Sequence, residues 1–167
     1  MLNRRPLFTT FSLSALAVVT LLSACATMQS PTTMAETIAA NPQLSTLNSL
    51  IVKAGLTDTL QGAGPFTVFA PSNEAFAKVP AKTMETLAAN PAQLKSVLTF
   101  HVVPGKTMAV DVKNSNAKTV QGANVALSKA GTYVTVEDAV VQTADISATN
   151  GVVHVVDAVL MPPAPAR

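Results

Sequence analysis

The sequence predicts an α+β fold, with N-terminal helices packed on mostly antiparallel β-sheets. Three observations carry this. Helical periodicity and cap residues dominate from Thr33 to Phe100. From His101 onward, short β-rich segments are punctuated by Gly105, Gly122, Gly131 and Asn150-Gly151. Those segments follow one another too closely for crossover helices, which favours antiparallel pairing.

The elements follow in order. Thr33 is placed as an N-cap, and Glu36 three residues later completes a capping box. This helix ends before Asn41-Pro42. Leu44, Leu47, Leu50, Ile51 and Ala54 mark one face of a second helix, which Gly55 stops. Ala-Ala-Asn-Pro occurs here and again at 88–91, an Asn cap followed by Pro at the first helical position. Gly62-Ala63-Gly64-Pro65 is a turn. Phe66 to Ala70 is a strand stopped by Pro71, and Ser72 or Asn73 caps a short helix through Phe76. Residues 81–89 and 92–100 predict two more helices. Strands are expected at 102–103, 108–112, 118–121, 125–128, 133–136, 140–146 and 152–160, with Glu137-Asp138 in a turn. The last strand is apolar almost throughout, so both its faces should be covered.

The ends read differently. Arg4 and Arg5 precede the apolar run Leu7 to Leu22, and Leu22-Ser23-Ala24-Cys25 follows. This is the layout of an export signal. The four residues resemble the lipobox of bacterial lipoproteins, in which the Cys is lipidated and becomes the first residue of the mature chain. A plain signal peptide and an uncleaved membrane helix are the alternatives. The run is short for a span and no long stop-transfer segment follows. The expected division is a lipoprotein signal at 1–24, a tether at 25–33, one domain at 34–162 and a Pro-rich tail at 163–167. Ala26 follows the Cys, and by analogy with bacterial lipoproteins the absence of Asp there favours the outer membrane over the inner.

Two of the eleven basic residues are Arg4 and Arg5, so the mature part carries nine bases against nine acids and is near neutral. It has no basic stripe with interleaved aromatics, and nucleic-acid binding has no support. Cys25 is the sole cysteine, so once lipidated it leaves no thiol for a disulfide or a metal. No second apolar span follows the signal, and the domain is expected to be soluble and monomeric.

Candidate chemistry is sparse. His101 follows a predicted helix, where it can bond the last carbonyls. His154 lies in the terminal strand. Neither has the further ligands that a zinc site needs. Glu137 and Asp138 are neighbours that a strand would point apart. Asp157, in an apolar strand, must accept hydrogen bonds or be paired if buried, and reads as a structural anchor. No nucleophile elbow, phosphate loop or dinucleotide fingerprint is present. No cofactor, no metal and no catalysis are expected.

Three segments together resemble the fasciclin domain family. Gly64 to Phe76 is similar to its first signature, including Phe69, Pro71, Ser72, Asn73 and Phe76. Asn150 to Pro162 is similar to its second, including Gly151, His154 and Asp157. Phe100-His101-Val102-Val103-Pro104-Gly105 is similar to the Tyr-His segment between them. The resemblance implies a compact wedge of sheets and helices, and signatures that mostly specify fold. It implies a partly buried, structural His101. It also implies adhesion or extracellular interaction. Phe100 lacks the Tyr hydroxyl, so the integrin contact of animal members such as periostin is not carried over. The leading expectation is a noncatalytic, lipid-anchored envelope protein. Its partners would be the membrane, through Cys25, and an unidentified envelope or extracellular protein or polysaccharide. A periplasmic small-ligand or sensory-accessory module is the alternative, and a deep apolar pocket with a few converging polar groups would favour it. A hydrolase is the weakest third, without a nucleophile to nominate.

Overall fold

The computed structural model describes residues 32–163. Cys25, the signal, most of the tether and the last four residues lie outside this range.

Helix α1 (Met34–Ala40) opens as its sequence dictates. The Thr33 hydroxyl accepts from the Glu36 amide, and the Glu36 carboxylate accepts from the Thr33 amide at 2.8 Å. A 3-10 turn at Pro42–Leu44 follows, the Asn41 side chain accepting from the Gln43 amide. Then come α2 (Ser45–Lys53) and α3 (Thr57–Gln61). Strand β1 (Phe66–Pro71) runs into α4 (Asn73–Ala77), where Ser72 is the cap and its hydroxyl accepts from the Ala75 amide. Helices α5 (Ala81–Ala89) and α6 (Pro91–Phe100) complete the helical half, with Asn90 capping α6.

Strands β2 (Val102–Pro104), β3 (Ser115–Lys118), β4 (Asn124–Ala130), β5 (Tyr133–Val136), β6 (Ala139–Ala148) and β7 (Gly151–Val156) follow. The sheet order is β2-β1-β7-β6-β5-β4-β3. All pairs are antiparallel except β1 with β7, which run parallel from Phe66↔Gly151 to Pro71↔Val156. That exception needs no βαβ unit, because most of the chain separates the two strands. Register shifts interrupt the β6–β7 ladder, and side chains from β1, β2, β4, β5 and β7 meet in one core cluster, which folds the sheet over on itself. One core layer lies between helices and sheet, around Ile38, Leu47, Leu94 and Val153. The other lies inside the folded sheet, around Phe69, Phe100, Val125 and Val136.

Three expected strands are corrected. Residues 108–112 form a turn, because the Asp111 and Val112 amides both donate to the Met108 carbonyl. The third strand occupies 115–118, not 118–121, because Thr119 to Gly122 close a tight turn. The terminal strand ends at Val156, so Asp157 lies just beyond the ladder. Up to that point every residue of β7 is buried, as its apolar run requires. Pro71 ends β1 from within it, pairing with Val156.

Asn150 does more than punctuate the β6–β7 turn. Its carbonyl oxygen accepts from the Met34 amide at 2.9 Å, and its amide nitrogen donates to the Leu60 and Gly62 carbonyls at 2.7 and 2.9 Å. One side chain thus ties α1 and α3 to the sheet. Replacing Asn150 with Ala should cost about 2 kcal/mol, because it orphans partly buried groups on two other segments. Urea unfolding of Asn150→Ala checks this, and a loss below about 0.5 kcal/mol contradicts it.

Candidate functional site

The three motif segments are distant in sequence and adjacent in space. They supply β2, β1 and β7, three neighbouring strands with β1 in the middle. The Phe69 amide donates to the His101 carbonyl at 2.9 Å, and the Ser72 amide donates to the Val156 carbonyl at 3.0 Å. Phe69, Phe100, His101 and His154 are all 2 % exposed or less. Pro71, Ser72, Phe76 and Gly151 are buried as well. A Cβ at Gly151 would overlap the Phe66 carbonyl oxygen and approach the Met34 sulfur to 2.9 Å, so only glycine allows β1 and β7 this close.

The two histidines use both ring nitrogens, in opposite tautomers. His101 sits at the C-cap of α6. Its Nδ1–H donates to the Val97 carbonyl at 2.8 Å, and its Nε2 accepts from the Leu160 amide at 3.0 Å. It therefore bolts the last helix to the chain beyond β7, and it is fully rather than partly buried. Burial pushes its pKa down to about 4, against the opposing pull of the Val97 carbonyl. In His154, Nε2–H donates to the Thr107 carbonyl at 2.9 Å and Nδ1 accepts from the Asp145 amide at 3.1 Å. Its ring stacks on Phe69 with centroids 5.6 Å apart. Burial lowers its pKa too, opposed by the Thr107 carbonyl and the Asp145 charge. Neither ring keeps a lone pair for a metal or a free nitrogen for proton transfer in this arrangement. Among the described residues no cluster of three or more metal-ligating side chains occurs.

Asp157 is half-buried and belongs to a clamp. Its Oδ1 accepts from the Val140 amide at 2.8 Å, while Oδ2 lies 3.5 Å from the Lys78 ammonium. Lys78 also donates to the Asp157 carbonyl at 3.0 Å. The ammonium side is exposed, so the ion pair contributes at most about 1 kcal/mol. Asn73, beside the cap, holds the Pro42 carbonyl and the Thr46 amide at 2.9 and 3.0 Å, joining α4 to α2. Glu137 and Asp138 do lie in a turn, where Glu137 has φ +52° and its carboxylate accepts from the Ala126 amide. That carboxylate is used by β4 and is not one of a reacting pair.

An apolar slot opens between α2, α3, α6 and β1, lined by Leu47, Ile51, Leu60, Phe66, Leu98 and Val102. It encloses about 20 Å³ of free space, about what one water needs and far below a metabolite. The small-ligand alternative gains nothing from it.

A model of the fasciclin domain matches residues 42–162. The chain belongs to the fasciclin domain family. Protein sll1483 of Synechocystis is 41 % identical over 83 % of this chain and 78 % of its own length. Immunogenic protein MPB70 of Mycobacterium bovis is 41 % identical over 74 % of this chain and 66 % of its own. The cell surface glycolipoprotein MPB83 of the same species is 38 % identical over 74 % and 58 %. The chain thus spans from over half to about three quarters of these bacterial relatives. A solved FAS1 domain pair from the insect cell adhesion molecule fasciclin I superposes with a TM-score of 0.67. At 18 % identity, covering 78 % of this chain and 51 % of that one, it shows the shared fold.

Family membership explains the motif geometry. The signatures of this fasciclin domain are the residues that join β2, β1 and β7 and bolt α4 and α6 onto them. The sequence singled out these residues but did not show that they meet. It also missed Asn150, read as turn punctuation, as a clamp, and Asp145, placed inside the strand expected at 140–146, as the partner of His154.

Proposed function

We propose that this protein is a lipid-anchored member of the cell envelope whose single fasciclin domain acts noncatalytically, by adhesion or by binding another envelope or extracellular component. One observation carries the proposal. The polar residues that define the domain are consumed in holding it together, and both histidines are fixed neutral by two hydrogen bonds each. Function then falls to the outer surface. That fasciclin I is a cell adhesion molecule and MPB83 a cell surface glycolipoprotein supports an interaction role outside the cytoplasm.

The anchor is Cys25 in Leu22-Ser23-Ala24-Cys25, and the absence of Asp after it, where Ala26 stands, favours the outer membrane. Several acyl chains, at about 0.8 kcal/mol per buried CH₂, hold a protein durably where one holds it weakly. Thr32 is seven residues beyond Cys25, so the domain stays within about 25 Å of the lipid surface. Labelling cells with a fatty-acid analogue should tag the wild type and not Cys25→Ser, and equal label in both would remove the anchor. Deleting the protein should reduce surface attachment or cell aggregation. Unchanged attachment, together with an empty crosslinking profile in intact cells, would remove the interaction role.

A further inference from the structure

We infer that the open seam between the two edge strands, β2 and β3, takes an extended acidic peptide segment of the partner, added as a strand. The inference rests on the interaction role above and names its surface.

The ladder shows which backbone groups are free. Thr119 donates to Ala123, and Ser115 and Ala117 share its phase against Leu127 and Val125. Alternation therefore turns the N–H and C=O of Asn116 and Lys118 away from β4. Both residues are exposed. The next residue of that phase, Val120, donates to the Val102 carbonyl of β2 at 2.8 Å. The two edges are thus stitched by this one backbone hydrogen bond and share no ladder. Between them lies an open groove of about 540 Å³, floored by the buried Val103, Val112 and Leu127, with Lys113, Lys118 and Asp111 at its margin.

Three features select the occupant. Free strand-edge amides and carbonyls are matched by another peptide backbone and not by a sugar or a phosphate. An added strand alternates its side chains, so one set can reach the apolar wall while the other meets the lysines. The groove itself carries Lys113 and Lys118 against one acid, Asp111, a net positive charge, and Lys106 and Lys129 are the other charges of residues 102–130. Lysines on an edge deter apolar strands by leaving charge unpaired, and an acidic strand neutralises them.

The test uses the exported chain and a capped, fluorescently labelled peptide, Thr-Glu-Val-Glu-Val-Glu-Thr, with its Glu→Lys counterpart as control. By anisotropy the acidic peptide should bind with Kd below about 1 mM and at least about tenfold more tightly than the basic one. Asn116→Pro removes one outward N–H at an edge, where proline is tolerated, and should weaken binding about tenfold with the circular dichroism unchanged. Lys118→Glu should reverse the preference, and it carries the test if Asn116→Pro does not fold. No binding by the acidic peptide, equal binding of both, or indifference to these substitutions overturns the inference. So does binding to phosphatidylglycerol vesicles without peptide binding, which would give the lysines to a membrane. Photo-crosslinkers placed at Lys118 and at exposed Val52 in cells separate the two levels. A partner captured only at Val52 ends this inference and leaves the interaction role standing, whereas capture at neither counts against both.

Discussion

His101→Ala is expected to destabilise the domain by about 4 kcal/mol. The ring is fully buried, and truncation leaves a cavity of the kind that costs about 3–5 kcal/mol for a large side chain. It also orphans the Val97 carbonyl and the Leu160 amide, each a buried group that then lacks its partner. A typical domain holds about 5–15 kcal/mol in reserve, so the variant should lose a large share of its stability. Denaturant titration measures this. A loss under about 1 kcal/mol would mean that the helix-to-tail bolt is not a structural centre. The comparison with Lys78→Ala is informative. Lys78 touches Asp157 at an exposed site and should cost less than about 1 kcal/mol.

The second large effect is a loss of stability in mild acid. The folded His101 has its pKa pushed down to about 4, whereas an unfolded histidine titrates near about 6.5. Between those values the unfolded chain binds the extra proton and the folded one does not. Stability therefore falls as pH drops from 6.5, and the contribution of this ring stops changing below about 4. The full shift corresponds to about 3 kcal/mol. His154 adds a loss of the same sign, since burial lowers its pKa as well. Its protonation would also remove the Nδ1 acceptor that holds the Asp145 amide. Urea midpoints at pH 7 and pH 5 measure the slope before most carboxylates titrate. A flat profile contradicts it. In His101→Gln the part of the slope due to this ring should vanish, even if the variant is less stable throughout.

These two effects also bear on what was legible in the sequence. The capping box at Thr33 and Glu36, the Asn caps at 41 and 90, and the buried β7 were readable because each is a local pattern with a local cause. Residues 108–112 misled because Met-Ala-Val-Asp-Val is apolar enough for a strand, yet no neighbour offers it a ladder. Its amides close on Met108 and on the Asp145 carboxylate instead. Asp157 was recognisable as an anchor. Its acceptor role toward Val140 depends on the β6–β7 register, and no sequence spacing states that register.

The amino-acid order by itself determined the fold class, the family and the helix caps, because periodicity, caps and signature motifs are written along the chain. Tertiary structure alone decided what those residues do. It set a parallel β1 beside β7, so that residues 85 positions apart, such as Phe66 and Gly151, share one ladder, and it buried both histidines so that their pKa values fall. It also left the backbone of Asn116 and Lys118 facing outward. Hydrogen-bond partners and desolvation depend on distance through space, and the chain specifies that distance only once it has folded.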